Sequence, residues 1–356
     1  MQHHDEQAQR PLISQRKSEH LALCASGEVD FRDKTTLLEQ VQLIHQALPE
    51  RHLDEVDLTT RLLGKTLKAP IVLSAMTGGT DEAQQINCDL ARAAETLGLG
   101  FGLGSQRAQL VRPETTRTFQ VRQVAPTTLV LGNLGVVQAG QMTVPEIRAM
   151  CETVGADALC IHLATAMELV QPGGDRDFRG GLETLQRLKT GLDLPIVVKE
   201  TGCGLSRQVG LSLQQIGIRA IDVSGAGGTS WVGVETHRSQ GVYRAVGEAL
   251  WDWGVPTAVS VAALADLGFE IVATGGLRNG LDVARSLALG ATAGGLAAPV
   301  LRAWKAGGYD RVIEFLQGVI ETVKAVTLLC GCPASRKLRQ AKKVLGPALR
   351  AWLDEA

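Results

Sequence analysis

The sequence predicts an α/β fold: a single (β/α)₈ TIM barrel with an N-terminal extension and C-terminal helices. Three observations predict it. Eight short apolar runs alternate with helical patterns along most of the chain. The runs lack polar alternation, as strands buried on both faces do. Polar and glycine residues collect just after each run, where barrels of this kind carry their chemistry. An open doubly wound sheet would share the alternation, but no GxGxxG follows the first run, which favours the closed barrel.

Residues 1–70 precede the first run and read as an extension packing near the barrel mouth. The first fifteen residues are polar, lack an apolar signal-peptide core and read as a loose tail. The expected strands are Ile71–Met76, Leu99–Gly104, Leu129–Asn133, Ala158–His162, Ile196–Lys199, Ala220–Ser224, Ile271–Gly275 and Ala293–Ala297. Helical patterns fall between them at Asp81–Leu97, Val144–Val154, Leu182–Thr190 and Leu281–Leu289, the last with Asn279 as N-cap and Gly290 as its stop. The longer gap after the sixth run, Thr229–Trp253, reads as an active-site loop. Residues 310–329 and 334–354 read as two closing helices, and 71–356 as one barrel domain.

Composition narrows the function. Apolar residues at 45% and charged residues at 21% indicate a folded, soluble protein. A net charge of −1 gives no basic field for nucleic acid or anionic lipid. Aromatics at 4% argue against base-stacking platforms. No window offers the roughly 20 apolar residues of a membrane span. An odd number of cysteines, seven, with no signal peptide suits a reducing, cytoplasmic setting. Cys330-Gly-Cys332 is a lone CxC with no second pair to complete a zinc site.

The strand ends carry Met76-Thr77-Gly78-Gly79, Ser105-Gln106-Arg107, Asn133, His162, Lys199-Glu200, Ser224-Gly225, Gly275-Gly276-Leu277-Arg278 and Ala297-Ala298. Any one could be a turn residue or a cap. Together they point at one mouth. GAGGTS (225–230) and TGGLRNG (274–280) read as phosphate cradles, because glycine lets backbone N–H groups approach an anion. Lys199 could form a Schiff base, pair with a substrate anion, or stand beside an electron-rich ring such as a flavin. A structural salt bridge is its bland alternative. Near the N-terminus, Arg16-Lys17-Ser18-Glu19-His20 suits a diphosphate, with a solvated helix start as the alternative.

These segments in order, RKSEH, SAMTGGT, GLGSQR, LGNLG, HL…E…QPGGDRDF, VVKETGCGLS, DVSGAGGTSWVGVE, ATGGLRNGLDVARSLALGA and GLAAPVL, resemble the type 2 isopentenyl diphosphate isomerases. The match runs from about residue 16 to residue 335. The resemblance implies an FMN-dependent barrel enzyme, a homotetramer or homo-octamer, that interconverts isopentenyl and dimethylallyl diphosphate. It also implies Mg²⁺ and NADPH as flavin reductant, with reduced flavin as the acid-base group. Carried over by position, FMN contacts fall on Ala75, Met76, Thr77, Ser105, Asn133, Lys199, Ser224, Thr229, Gly275, Gly276, Leu277, Arg278, Ala297 and Ala298. Substrate contacts fall on Arg16, Lys17, His20, Ser105, Gln106, Arg107 and His162, and the magnesium carboxylate on Glu168.

The match breaks after the fourth run. The family pattern there is close to H-L-N-x-x-Q-E, while this chain has His162-Leu163-Ala164-Thr165-Ala166-Met167-Glu168. Ala164 and Met167 replace two amides with groups that do no proton chemistry. The variant is tolerated, the pocket serves another prenyl diphosphate, or catalysis is impaired. Gln171 could supply an amide, or simply bond within its loop. Asp175 and Asp177, flanking Arg176, read as solvated or salt-bridged, and His45, His52 and His237 as surface residues. The rival chemistry is an FMN-dependent 2-hydroxy-acid oxidoreductase, which needs a histidine base and an arginine pair and leaves RKSEH idle. A non-catalytic flavin- or prenyl-diphosphate-binding protein is the other alternative.

Overall fold

The computed structural model describes residues 19–355, so Arg16 and Lys17, expected to contact the diphosphate, lie outside the described residues. Its centre is a closed barrel of eight parallel strands. They are β1 (Ile71–Leu73), β2 (Gly100–Gly102), β3 (Leu129–Gly135), β4 (Ala158–His162), β5 (Ile196–Lys199), β6 (Ala220–Asp222), β7 (Glu270–Ala273) and β8 (Ala293–Leu296). β8 pairs with β1 through Gly294↔Ile71, and β7 with β6 through Ile271↔Ile221, so no edge is left open. All eight strands fall inside the expected runs or within two residues of them.

Alternate residues face the two cores. Val72, Leu129, Leu131, Ala158, Cys160, Val197, Ala220, Val272 and Ala293 fill the interior, while Ile71, Leu73, Val130, Leu159, Ile161, Val198 and Ile221 pack outward on the helices. The helices Asp81–Leu97, Val144–Val154, Gly181–Gly191 and Gly280–Leu289 stand where the pattern places them. Asn279 caps the last through the N–H of Asp282, and a Thr143–Glu146 capping box starts the second.

The extension does more than lie near the mouth. Thr60–Leu62 and Lys65–Leu67 form a hairpin that drives Leu62 and Leu67 into the interior core from the N-terminal end of the strands. Its tight turn uses Leu63 and Gly64, both at positive φ, as a twisted two-residue hairpin turn requires. The mouth is met instead by residues 19–36: Ser230 N–H donates to the Val29 carbonyl at 2.7 Å, and Phe31 N–H to that of Gly228 at 2.8 Å. The extension therefore serves both ends of the barrel, where the sequence placed it only at the mouth.

Thr229–Trp253 folds into two helices, Trp231–Arg238 and Gly241–Ala249. The chain after β8 is helical from Ala298 to Leu329 with a break at Gly307–Gly308, so the expected helix 310–329 is its second half. Residues 334–354 are not one helix. They form a short 3₁₀ turn (Ser335–Gln340), a strand (Lys343–Leu345) antiparallel to Val41–Leu43, and a helix (Pro347–Glu355). Gly346 and Pro347 stop a continuous helix, and the partner strand lies about 300 residues away in sequence, so local pattern does not reveal it. Among the described residues, no helix is long and apolar enough to cross a membrane.

Candidate active site

The C-terminal ends of the strands open into a cleft that continues into a smaller pocket. Ala75, Lys199, Thr229, Ala297 and Ala298 line both, so the two are one elongated site with Lys199 where they meet. The mouth end collects Met76 and Thr77 from β1, Ser105 and Arg107 from β2, and Asn133 from β3. His162, Met167, Glu168 and Gln171 follow β4, and His20 comes from the extension. The inner end collects Ser224 from β6 and Gly275, Gly276, Leu277 and Arg278 from β7.

One carried-over residue stands apart. Gln106 is fully buried beside the cleft rather than in it: its Oε1 accepts the Asn133 N–H at 2.8 Å and its Nε2 donates to Gln109 Oε1. It braces β2 against β3 instead of reaching a ligand. Asn133 itself is also engaged. Its Nδ2 donates to the Leu103 carbonyl at 3.0 Å, which leaves Oδ1 to accept from His162 Nδ1–H at 2.8 Å. This fixes the tautomer, so Nε2 of His162 carries the lone pair. Burial pushes the His162 pKa down to about 3, and the positive charges of Lys199 and Arg107 push the same way. His162 is thus a neutral acceptor.

Lys199 is buried and donates one N–H to the Glu200 carbonyl at 2.6 Å. Two buried acids stand by it. Burial raises Glu200 to about 7, against the N–H groups of Cys203 and Thr201 and the charge of Lys199. Burial also raises Asp222, which pairs with Lys199 across β5 and β6 and accepts from Thr274 Oγ1 and Ser224 N–H. Cys160, raised to about 12 by burial and Asp222, stays a thiol. Ser224 holds φ of 37°, a sparsely populated conformation for a residue with a side chain, and such strain gathers at functional sites.

The glycine loops have two jobs. A Cβ on Gly275 would strike the backbone of Gly225, and one on Gly228 the backbone of Gly276. The β6 and β7 loops therefore pack backbone on backbone, which accounts for these glycines before any ligand is considered. The pocket itself supplies independent signs of a ligand. Ser74 Oγ is buried and has no partner among the described residues, and the helix beginning at Ala298 opens toward the same space. A phosphate fits these donors.

Glu168 Oε2 accepts from Asp175 N–H at 2.9 Å and Gln171 Nε2 at 3.2 Å. Gln171 is therefore tied to Glu168 rather than replacing the amide absent at Met167. Among the described residues, no cluster of three or more His, Cys, Asp or Glu side chains is arranged to hold a metal. A cation at Glu168 fits only if a ligand's oxygens complete its shell. Asp175 accepts from Gln138 Nε2 at 2.8 Å, and Asp177 pairs with Arg179 at 2.6 Å. His45, His52 and His237 are exposed.

Sequence reasoning missed several cleft residues. Trp231 lines both ends and meets the His20 ring edge-on, with centroids 5.3 Å apart. His20 Nε2 lies 2.8 Å from the fully buried carboxylate of Glu235, which also pairs with Arg238 at 2.6 Å. The spacing of Trp231 and Glu235, one helical turn apart just after a glycine loop, was the available signal.

A parallel eight-stranded barrel with a buried lysine at the end of β5 and a glycine-lined pocket between β6 and β8 fits the flavin-dependent barrel class. The chain matches the family model of FMN-dependent dehydrogenases over residues 9–167 and 166–344. Its relatives narrow the class. It is 40% identical over 347 residues to an isopentenyl-diphosphate delta-isomerase of Methanothermobacter thermautotrophicus, covering 97% of each chain. It is 42% identical to that of Methanosarcina mazei, covering 96% and 94%, and 39% identical to that of Pyrococcus furiosus, covering 96% and 89%. The chain belongs to the isopentenyl-diphosphate delta-isomerase family, in its FMN-dependent type 2 branch. A solved mandelate oxidase with (S)-2-phenylpropionate superposes with a TM-score of 0.63 over 94% of this chain and 98% of its own. At 20% identity that likeness is one of fold.

Proposed function

We propose that this chain interconverts isopentenyl diphosphate and dimethylallyl diphosphate, with FMN in the elongated site, Mg²⁺ at Glu168, NADPH as flavin reductant, and a homotetrameric or homo-octameric assembly. The observation that carries this reading is the continuity of the site. One end is an anion pocket, the other a mouth with Arg107, His162 and Glu168, and Lys199 lies where they join.

In this reading Ser74, the Gly275–Arg278 turn and Ala297-Ala298 hold the FMN phosphate, and Ala75, Met76, Thr77 and Lys199 face the ring. Bound reduced FMN supplies a group able to give and take a proton without net oxidation of the substrate. The protein holds the diphosphate with Arg107, His20 and the Arg16-Lys17 pair, and Mg²⁺ at Glu168 would offset its charge. His162, held neutral by its surroundings, offers Nε2 as an acceptor and adds no positive charge of its own. Met167 and Trp231 turn apolar surface to the alkene and keep water from a carbon where positive charge develops. Ala164 caps its helix with no side-chain bond, and the cleft amides of Gln138 and Gln171 are engaged by Asp175 and Glu168 through their Nε2 groups. In this reading the proton exchange does without an amide at 167.

The test is anaerobic incubation of the reduced, FMN-loaded protein with isopentenyl diphosphate, followed by proton NMR. Appearance of dimethylallyl diphosphate supports the reading. Oxidation of a 2-hydroxy acid with reduction of the flavin, and no isomer formed, would favour the oxidoreductase instead.

A further inference from the structure

Residues 27–36 of the extension pack along the β6 and β7 loops and put Asp30 into the lining of the inner pocket. Asp30 bridges Thr229 in antiparallel fashion, and Ala258 N–H donates to the Thr36 carbonyl at 3.0 Å. This seats the Asp30 carboxylate at the pocket rim, where two guanidinium groups meet it. Arg278 Nη2, from the β7 loop, is 3.0 Å from Oδ2. Arg302 Nη2, one turn into the helix that starts at Ala298, is 3.4 Å from both carboxylate oxygens. Arg302 Nε also donates to the Ala25 carbonyl at 3.2 Å, which fixes the guanidinium against the extension.

Two cations and one anion leave a net charge of +1 at this rim. All three side chains line the pocket that holds the buried, unpartnered Ser74 hydroxyl. The charge and the hydroxyl are independent signs, and both point to an anion.

We infer that Arg302 and Asp30 belong to this anion site: Arg302 joins Arg278 as a phosphate ligand, and Asp30 competes with the phosphate for both guanidinium groups. Asp30 thereby limits how tightly the site holds an anion. The paired side chains are between a quarter and a half exposed, so the competition is modest and salt-dependent. It acts on the phosphate alone, because Asp30 stands at the inner end, away from the mouth lined by Met76 and His162. The inference takes its ligand, FMN, from the reading above.

The test compares FMN and riboflavin, which differ only in the phosphate, by fluorescence titration of the wild type, Asp30→Asn and Arg302→Gln, with melting temperatures as a folding check. Asp30→Asn should tighten FMN binding about fivefold at low salt, with the gain shrinking as salt rises, and leave riboflavin unchanged. Arg302→Gln should weaken FMN binding by about tenfold or more and leave riboflavin unchanged. FMN binding that is unchanged or weaker in Asp30→Asn, or unchanged in Arg302→Gln, overturns the inference. If the wild type binds neither flavin, the cofactor reading fails, and calorimetry with inorganic pyrophosphate then decides the Asp30 question. Tighter pyrophosphate binding in Asp30→Asn supports the competition, and equal binding overturns it.

Discussion

At the bottom of the barrel the extension presents Leu62 and Leu67, fully buried among interior strand residues. Above the C-terminal ends of the strands the same extension presents His20 at the mouth and Asp30 at the inner pocket, paired with Glu235, Arg278 and Arg302 from the segments that follow β6, β7 and β8. The bottom contact gains by excluding water and has no chemical partner to exchange. At that end an anionic ligand's oxygens could take the place of the Glu235 or Asp30 carboxylate beside its basic partner. One segment thus contributes stability at one end and ligand selectivity at the other, and substitutions at the two ends should separate those properties.

The sharpest break is at the bottom. Leu62→Ala leaves a cavity in the interior core and should cost about 2–5 kcal/mol in denaturant unfolding, with the FMN dissociation constant unchanged. At the upper end, Lys199→Gln should lower kcat by about a hundredfold or more, as loss of one preorganised charged donor does, a loss far out of proportion to any shift in the unfolding midpoint. An equal loss of stability and activity in both variants would erase the distinction between the ends.

The mouth should also reveal itself through pH. His162 has an ordinary pKa of 6.5 when unfolded and about 3 in the fold, so acid protonates the unfolded chain first. Its contribution is complete above 6.5 and is lost as pH falls toward 3. Glu200 has the opposite sign. Raised from 4.5 to about 7, it favours the fold below 4.5 and loses that contribution as pH rises through about 7. Each contributes a slope of at most about 1.4 kcal/mol per pH unit. Glu200→Gln should flatten the fall toward neutral pH, and His162→Gln the rise from acid, as read by unfolding at several pH values. The smallest effect belongs to the short helix after β4 (Thr165–Val170): Ala164→Asn with Met167→Gln should change kcat/KM by less than about threefold if, as proposed, proton exchange does without an amide at 167. A large gain in rate would mean that the pocket has drifted from the isomerase task.

The barrel was legible because eight strands buried on both faces leave eight unbroken apolar runs, and because caps such as Asn279 and Thr143 are local signals. Most of the cleft was legible because strand ends converge in this architecture. What escaped depended on contacts distant in sequence. The hairpin at 60–67 looks like any short loop until Leu62 joins the interior cluster that holds Leu129 and Val272. Lys343–Leu345 takes its strand form from Val41–Leu43. Gln106 sits between two cleft residues in sequence, yet turns inward to the Asn133 N–H. Asp30 and Arg302 carry no motif. Arg302 had one faint signal, a cation one turn inside the helix that follows β8.

The most direct test of the account is turnover of isopentenyl diphosphate in D₂O by the anaerobic, dithionite-reduced FMN protein. The account predicts dimethylallyl diphosphate carrying solvent deuterium, with no net flavin oxidation. A protein that binds FMN and stays reduced, yet returns isopentenyl diphosphate with neither isomer nor deuterium, would contradict it.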